Sequence, residues 1–299
     1  MKKWLRRAAI GAGSIVTFVL LLAIGVYGFS SRGMSKKYEV QDAALSIPTD
    51  SASVAWGQRM ATAIGKCVEC HGADLAGKTM MENGAMGLLA SSNLTRGKGG
   101  IGATYTDADF VRALRHGVRP DGSTLVFMPS QEYTYFNDED LAALIAYLRT
   151  IPPVDKDKPQ TQLGPVARVL YLTKAMPLIP AEWIDHESMA RPVIARGPTA
   201  EYGKYLARVG GCKGCHSENL AGGSAGEPGT PPAANLTPAG IGKWTYDDFV
   251  RALRQGTRPD GRTLSPAMPF VYTAQMTDDE IRAVWEYLKT VPSVETVAK

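Results

Sequence analysis

Cys67-Val68-Glu69-Cys70-His71, which returns as Cys212-Lys213-Gly214-Cys215-His216, decides how this chain is read. Two thiols three residues apart can each bond to a porphyrin vinyl group, and the histidine that follows then reaches the iron from one face. That spacing is the c-type haem attachment signature. The two copies use all four cysteines of the chain. Two covalently bound haem c groups are therefore expected, one on Cys67 and Cys70, one on Cys212 and Cys215, with His71 and His216 as iron ligands. Two other chemistries use similar residues. A single Cys-x-x-Cys serves as a thioredoxin-like redox pair but does not call for a histidine directly after it. Two pairs can also build a four-sulfur zinc site, which here requires them to meet across the interval from Cys70 to Cys212 and leaves both histidines idle.

The chain has 299 residues, too many for one small haem domain and suited to two domains of ordinary size. An apolar share of 44% is normal for a packed globular core. The net charge of +4 is misleading, because residues 1–37 hold seven Lys and Arg and no acid. The remainder has 26 basic against 29 acidic residues. A nucleic-acid-binding protein, which needs a basic domain, is not indicated.

The basic start belongs to an apolar span. Lys2, Lys3, Arg6 and Arg7 precede 24 residues, Ala8 to Ser31, that carry no charge. As a helix this stretch is roughly 36 Å long, against a hydrocarbon core of about 30 Å. A cleaved signal peptide has a shorter apolar region, about 7–15 residues, and no clear Ala-x-Ala stretch follows Gly28. Residues 1–37 are accordingly expected to be an uncleaved single-pass anchor. The excess of positive charge before the span puts the N-terminus in the cytoplasm and the rest outside. The haem reading adds the expectation that this outside is the periplasmic side of the inner membrane, where bacterial c-type haem is attached.

Beyond the anchor the chain repeats itself. Asn93-Leu94-Thr95 recurs as Asn235-Leu236-Thr237, and the seven residues Asp109 to Arg115 recur identically at Asp248 to Arg254. Arg119-Pro120-Asp121-Gly122 returns as Arg258-Pro259-Asp260-Gly261, and Met128-Pro129 as Met268-Pro269. Domain 1 is expected over 38–153 and domain 2 over 199–299, with a connector at 154–198 whose apolar residues suggest that it packs across one or both.

Each copy reads as short helices joined by Gly- and Pro-rich loops. Thr106 with Asp109 and Thr245 with Asp248 suit N-caps, while Gly117 and Gly256 suit the stops. Leu141, Leu144, Ile145 and Leu148, matched by Ile281, Val284, Trp285 and Leu288, form an amphipathic stripe ended by Pro152 and Pro292. Helices are also expected before each motif, over 54–65 and 201–209. No hairpin or alternating strand is evident.

A thioether sulfur on the far side of the iron favours the ferrous state and raises the potential. Met128 and Met268, each before a proline and aligned in the repeat, are the expected sixth ligands. Met80, Met81 and Met86 compete in the first copy, since methionine is a common gap-filler. His116, at a helix end, is expected to cap that end, and His186, between Asp185 and Glu187, to be solvated. Asp121 and Asp260 suit turns. Arg119 and Arg258 suit either the same turns or pairing with haem propionates.

In combination these motifs resemble class I cytochrome c domains, over about 50–153 and 198–292. They are most similar to the cytochrome c subunits of membrane-bound alcohol, gluconate and related dehydrogenases. The resemblance implies a mainly α fold, an N-terminal transmembrane helix followed by two tandem cytochrome c domains, and His/Met ligation of each iron. It also implies electron passage from a partner's cofactor. The chain differs from those subunits in having two haem domains where they typically have three, and in carrying its span at the N-terminal side. The expected protein is an electron carrier and not itself an enzyme. It would take single electrons from a dehydrogenase or quinol-oxidising complex and hand them to a terminal oxidase, a reductase or a soluble carrier. Two alternatives keep the haems, namely a peroxidase-like dihaem enzyme with one open iron and an integral electron-input subunit of an oxidase complex.

Overall fold

The first helix, α1 (Lys2–Met34), is the apolar span extended by its basic flanks. Its mean hydropathy over the span is 2.4 and none of that window is buried, so by length and composition it suffices to cross a membrane. This is a computed structural model, and it describes residues 2–157, 159–187, 191–223 and 231–296.

In the first copy Asp50 starts α2 (Ser51–Arg59) by accepting a hydrogen bond from the Ser53 N–H at 2.9 Å. The helix runs on as a π-helical turn, Met60–Ile64, and then gives way to the first motif, α3 (Cys67–His71). A hairpin follows, β1 (Thr79–Asn83) and β2 (Gly87–Ala90), before α4 (Asp107–His116), α5 (Ser130–Tyr133) and α6 (Asp138–Thr150). The connector supplies β3 (Gln162–Leu163), α7 (Pro165–Leu172) and a 3₁₀ turn at Pro180–Trp183. The second copy holds α8 (Ala200–Val209), the motif α9 (Cys212–His216), α10 (Pro238–Ile241), α11 (Tyr246–Gln255), α12 (Phe270–Thr273) and α13 (Asp278–Thr290).

The capping signals act as read. Thr106 and Asp109 form a reciprocal capping box at α4, and Thr245 and Asp248 do so at α11. Gly117 and Gly256 end these helices with φ of 66° and 65°, a left-handed conformation that costs glycine nothing. In each copy the helix before the motif crosses the last helix at a glycine. A Cβ on Gly57 would overlap the Ala143 carbonyl, and one on Gly203 would overlap the Ala283 carbonyl. The crossing pairs α2 with α6 and α8 with α13, so the sequence repeat is also a packing repeat.

Both amphipathic stripes bury into one apolar cluster that runs through the two copies, with Leu141, Leu144 and Ile145 from one and Ile281, Val284 and Trp285 from the other. A second, smaller cluster of Ala167, Tyr171, Leu178 and Ile179 lies under the connector, with Met34 and Met86 against it.

Two expectations are corrected. The first copy does contain a hairpin, in which β2 pairs antiparallel with β1 and with β3 of the connector. Its turn is made by the Asn83 side chain, which accepts from the Ala85 and Met86 N–H groups. An irregularity between Thr79 and Met81 breaks the alternation that would have revealed the strand. His186 is not solvated, as described below.

Candidate functional site

Each motif is a one-turn helix entered through a left-handed residue, Lys66 (φ 52°) or Gly211 (φ 69°). Such a short helix keeps both cysteines and the histidine of a motif within one turn. Cys67 and Cys212 are half-buried and pack against the shared apolar cluster.

The two histidines are held alike. His71 Nδ1 lies 2.7 Å from the Ser92 carbonyl, and His216 Nδ1 lies 2.7 Å from the Ala234 carbonyl. A carbonyl only accepts, so Nδ1 carries the hydrogen and the lone pair rests on Nε2, the arrangement a metal-bound imidazole needs. Burial holds His216 below its ordinary pKa, favouring the neutral ring. Ser92 and Ala234 each precede the repeated Asn-Leu-Thr, whose function this explains. Asn93 Nδ2 donates to the Val154 carbonyl at 2.8 Å and Asn235 Nδ2 to the Val294 carbonyl at 2.7 Å, pinning the loop whose carbonyl orients the histidine to the segment after the last helix. The signal was the repeat itself.

The methionines also match. Met128 and Met268 are half-buried against the same cluster as the cysteines, and the prolines after them adopt φ, ψ of −79°, 52° and −80°, 53°. The first loop is braced by the connector, where the Phe127 N–H donates to the Leu178 carbonyl at 2.7 Å. Of the competing methionines, Met86 packs under the connector, and Met80 and Met81 stand in β1.

The alternative chemistries fit poorly. All four cysteines are free, and burial pushes every thiol up, Cys67 to about 12. A reactive redox pair needs the opposite shift. Among the described residues no three His, Cys, Asp or Glu side chains gather as a metal cluster. Apolar packing of the thiols, a histidine oriented through Nδ1 and a half-buried methionine suit a hydrophobic iron porphyrin.

The two motifs abut. The Lys66 ammonium, just before the first, donates to the Gly210 carbonyl, just before the second. Around this point the copies exchange matched contacts. Arg59 of α2 pairs with Glu280 at 2.5 Å, and Tyr205 of α8 donates to Asp140 at 2.6 Å. Asp140 and Glu280 hold the same place in the first turns of α6 and α13, so the contact is close to two-fold symmetric. One residue breaks the symmetry. Glu132, only 8% exposed, faces the second motif near Gly211 and Gly214, where the first motif meets Tyr272 instead. Burial raises its pKa, with Arg208, Lys213 and Lys66 opposing and Glu218 adding to the rise. Nothing in the repeat pattern pointed to it.

His116 is buried, with Nε2 2.7 Å from Asp42 and Nδ1 3.0 Å from His186 Nδ1. His186 donates from Nε2 to the Ala181 carbonyl. The expected cap and the expected surface histidine thus form one cluster, His116 buried and His186 half-buried, invisible in sequence because 70 residues separate them. Arg119 closes its own turn through the Thr124 carbonyl, and Arg258 lies 3.7 Å from Asp260.

The chain is similar to known proteins along both copies. Residues 200–292 match the family described as cytochrome c, and residues 52–148 the family described as cytochrome c oxidase, cbb3-type, subunit III. A diheme cytochrome c-type protein of Cereibacter sphaeroides is 32% identical over 77% of this chain and 83% of its own length. The fructose dehydrogenase cytochrome subunit of Gluconobacter japonicus is 32% identical over 81% of this chain and 53% of its own. The alcohol dehydrogenase (quinone) cytochrome c subunit of Gluconacetobacter polyoxogenes is 32% identical over 84% and 58%. The chain therefore spans little more than half the length of these two dehydrogenase subunits. Fold and site define a mainly helical electron-transfer protein with two covalently bound haem c groups. The chain belongs to the c-type cytochromes.

Proposed function

We propose that this cytochrome is a membrane-anchored carrier that takes single electrons from a membrane dehydrogenase and passes them to a terminal oxidase, a reductase or a soluble carrier. In this reading Cys67, Cys70, Cys212 and Cys215 form the thioether links, His71 and Met128 ligate one iron, and His216 and Met268 ligate the other. Residues 1–37 are the inner-membrane anchor, 38–153 and 199–299 are the haem domains on the periplasmic side, and 154–198 is the packed connector. The haems supply one-electron chemistry, while the chain fixes their spacing, excludes water and sets ligand strength.

The observation that carries the proposal is the matched pair of ligand settings, the same Nδ1–carbonyl bond and the same Met-Pro geometry in both copies. A methionine matched in both copies, which in this reading fills both irons, favours a carrier over a peroxidase-like enzyme, which keeps one position open. The abutting motifs favour passage between the haems within one chain. A dehydrogenase as donor is supported by the printed names of the similar fructose and alcohol dehydrogenase subunits. Affinity purification of the full chain from mildly solubilised membranes tests it. A stoichiometric dehydrogenase whose substrate reduces both haems is expected, and recovery with an oxidase alone would favour the integral-subunit reading.

A further inference from the structure

Helix α7 presents an apolar face that nothing in the described chain covers. Ala167 and Tyr171 are buried against the end of α1, whereas Val166, Val169 and Leu172, three residues apart, are 45%, 43% and 37% exposed. Trp183, on the following 3₁₀ turn, is 48% exposed.

This face is fastened to the span at a definite height. The Arg168 guanidinium donates to the Ser30 and Ser31 hydroxyls at 2.8 and 3.0 Å and lies over the Tyr27 ring at 4.4 Å. The Tyr171 ring lies over Gly33. Those residues end the charge-free stretch, where a helix about 36 Å long leaves a core of about 30 Å. Phe29 is exposed at the same end of α1. Arg32 and Lys36 are exposed at the junction, while Lys37 and Lys174 are held by Asp121 and Glu182.

The geometry points to a lipid surface as the partner of this face: α7 and Trp183 lie at the boundary of headgroups and acyl chains beside the exit of α1, and seat the first haem domain against the bilayer. The inference rests on reading α1 as a retained span. An aliphatic stripe with an interfacial tryptophan fits the acyl boundary, and long cationic side chains reach anionic headgroups from such a position. Tied to the end of the span through Arg168 and Tyr171, the stripe stands at the height of the bilayer surface, where lipid is the partner at hand. The contact would hold the domain at one orientation, where a lone span leaves it free to swing.

Photolabelling tests this with the full chain in nanodiscs of mixed zwitterionic and anionic phospholipid, using a carbene reagent that partitions into the acyl phase. Peptides of α1 and of residues 165–183 should both be labelled well above the surface of the second domain. In a Val169→Asp/Leu172→Asp variant that keeps its haem spectrum, labelling of 165–183 should fall several-fold while that of α1 is unchanged. Label in α1 with only background in wild-type 165–183 would overturn the inference and leave the anchor standing. Absence of label from both would overturn the anchor reading and the seating with it. Protection of 165–183 from aqueous hydroxyl radicals by a co-purified protein, but not by lipid, would assign the face to that protein and reject the proposal.

Discussion

Met268 is the proposed sixth ligand of the second iron. If it is, removing its sulfur leaves the apolar surroundings but takes a soft ligand from that iron. A Met268→Ala variant is expected to turn the second haem high-spin or to lower its potential, within the roughly 0.8 V range that axial ligands span. Optical spectra and a potentiometric titration read both, and an unchanged second haem would exclude this methionine as ligand. Glu132 carries a prediction of different kind. Burial raises its pKa, so the folded state prefers the neutral acid, and the advantage is present at low pH and lost as pH rises through the raised value. Glu132→Gln should therefore stabilise the protein at pH 7, by about 1 kcal/mol, and do less below the ordinary glutamate range. Thermal unfolding at both pH values checks the sign. A loss of stability at pH 7 would mean that Arg208, Lys213 and Lys66 hold the carboxylate ionised. The residues proposed as ligands were legible at this scale because Cys-x-x-Cys-His and the aligned Met-Pro are local. Glu132 was not, since its surroundings come from the other copy.

At the scale of elements, local signals and long-range ones separate cleanly. Capping boxes at Thr106 and Thr245, glycine stops at Gly117 and Gly256 and the stripes of α6 and α13 are all written within one or two turns, and all form as read. The hairpin of the first copy escaped because its strand β1 is irregular and β2 is completed by β3, more than seventy residues downstream. The glycines at the helix crossings escaped for the same reason, because the partner carbonyl belongs to a distant helix. They matter to packing. Gly203→Ala would drive a methyl group into the Ala283 carbonyl and is expected to cost about 1–3 kcal/mol. Denaturant unfolding followed at the haem band should show an earlier midpoint, and a neutral result would mean that α8 and α13 can separate without cost.

For the whole molecule, the repeat announced two like domains but not how they meet. One apolar cluster runs through both, with Arg59–Glu280 and Tyr205–Asp140 as matched polar clasps around it. Truncating Arg59 leaves Glu280, almost fully buried, without its ion partner, an arrangement that is strongly destabilising. An Arg59→Ala/Tyr205→Phe variant should accordingly unfold in two separated steps where the parent unfolds in one, as followed by calorimetry. A single unshifted transition would show that the apolar cluster alone couples the domains. That coupling keeps the two attachment segments together, with Lys66 bonded across to Gly210, and so bears on how an electron crosses the molecule.

The central claim is that both cysteine pairs hold porphyrin. Peptide mass spectrometry of the proteolysed, denatured protein addresses it directly. The account predicts one haem increment on the peptide holding Cys67 and Cys70 and one on the peptide holding Cys212 and Cys215, each surviving solvent extraction. Bare thiols, a disulfide, or zinc retained by colourless protein at either pair would contradict it.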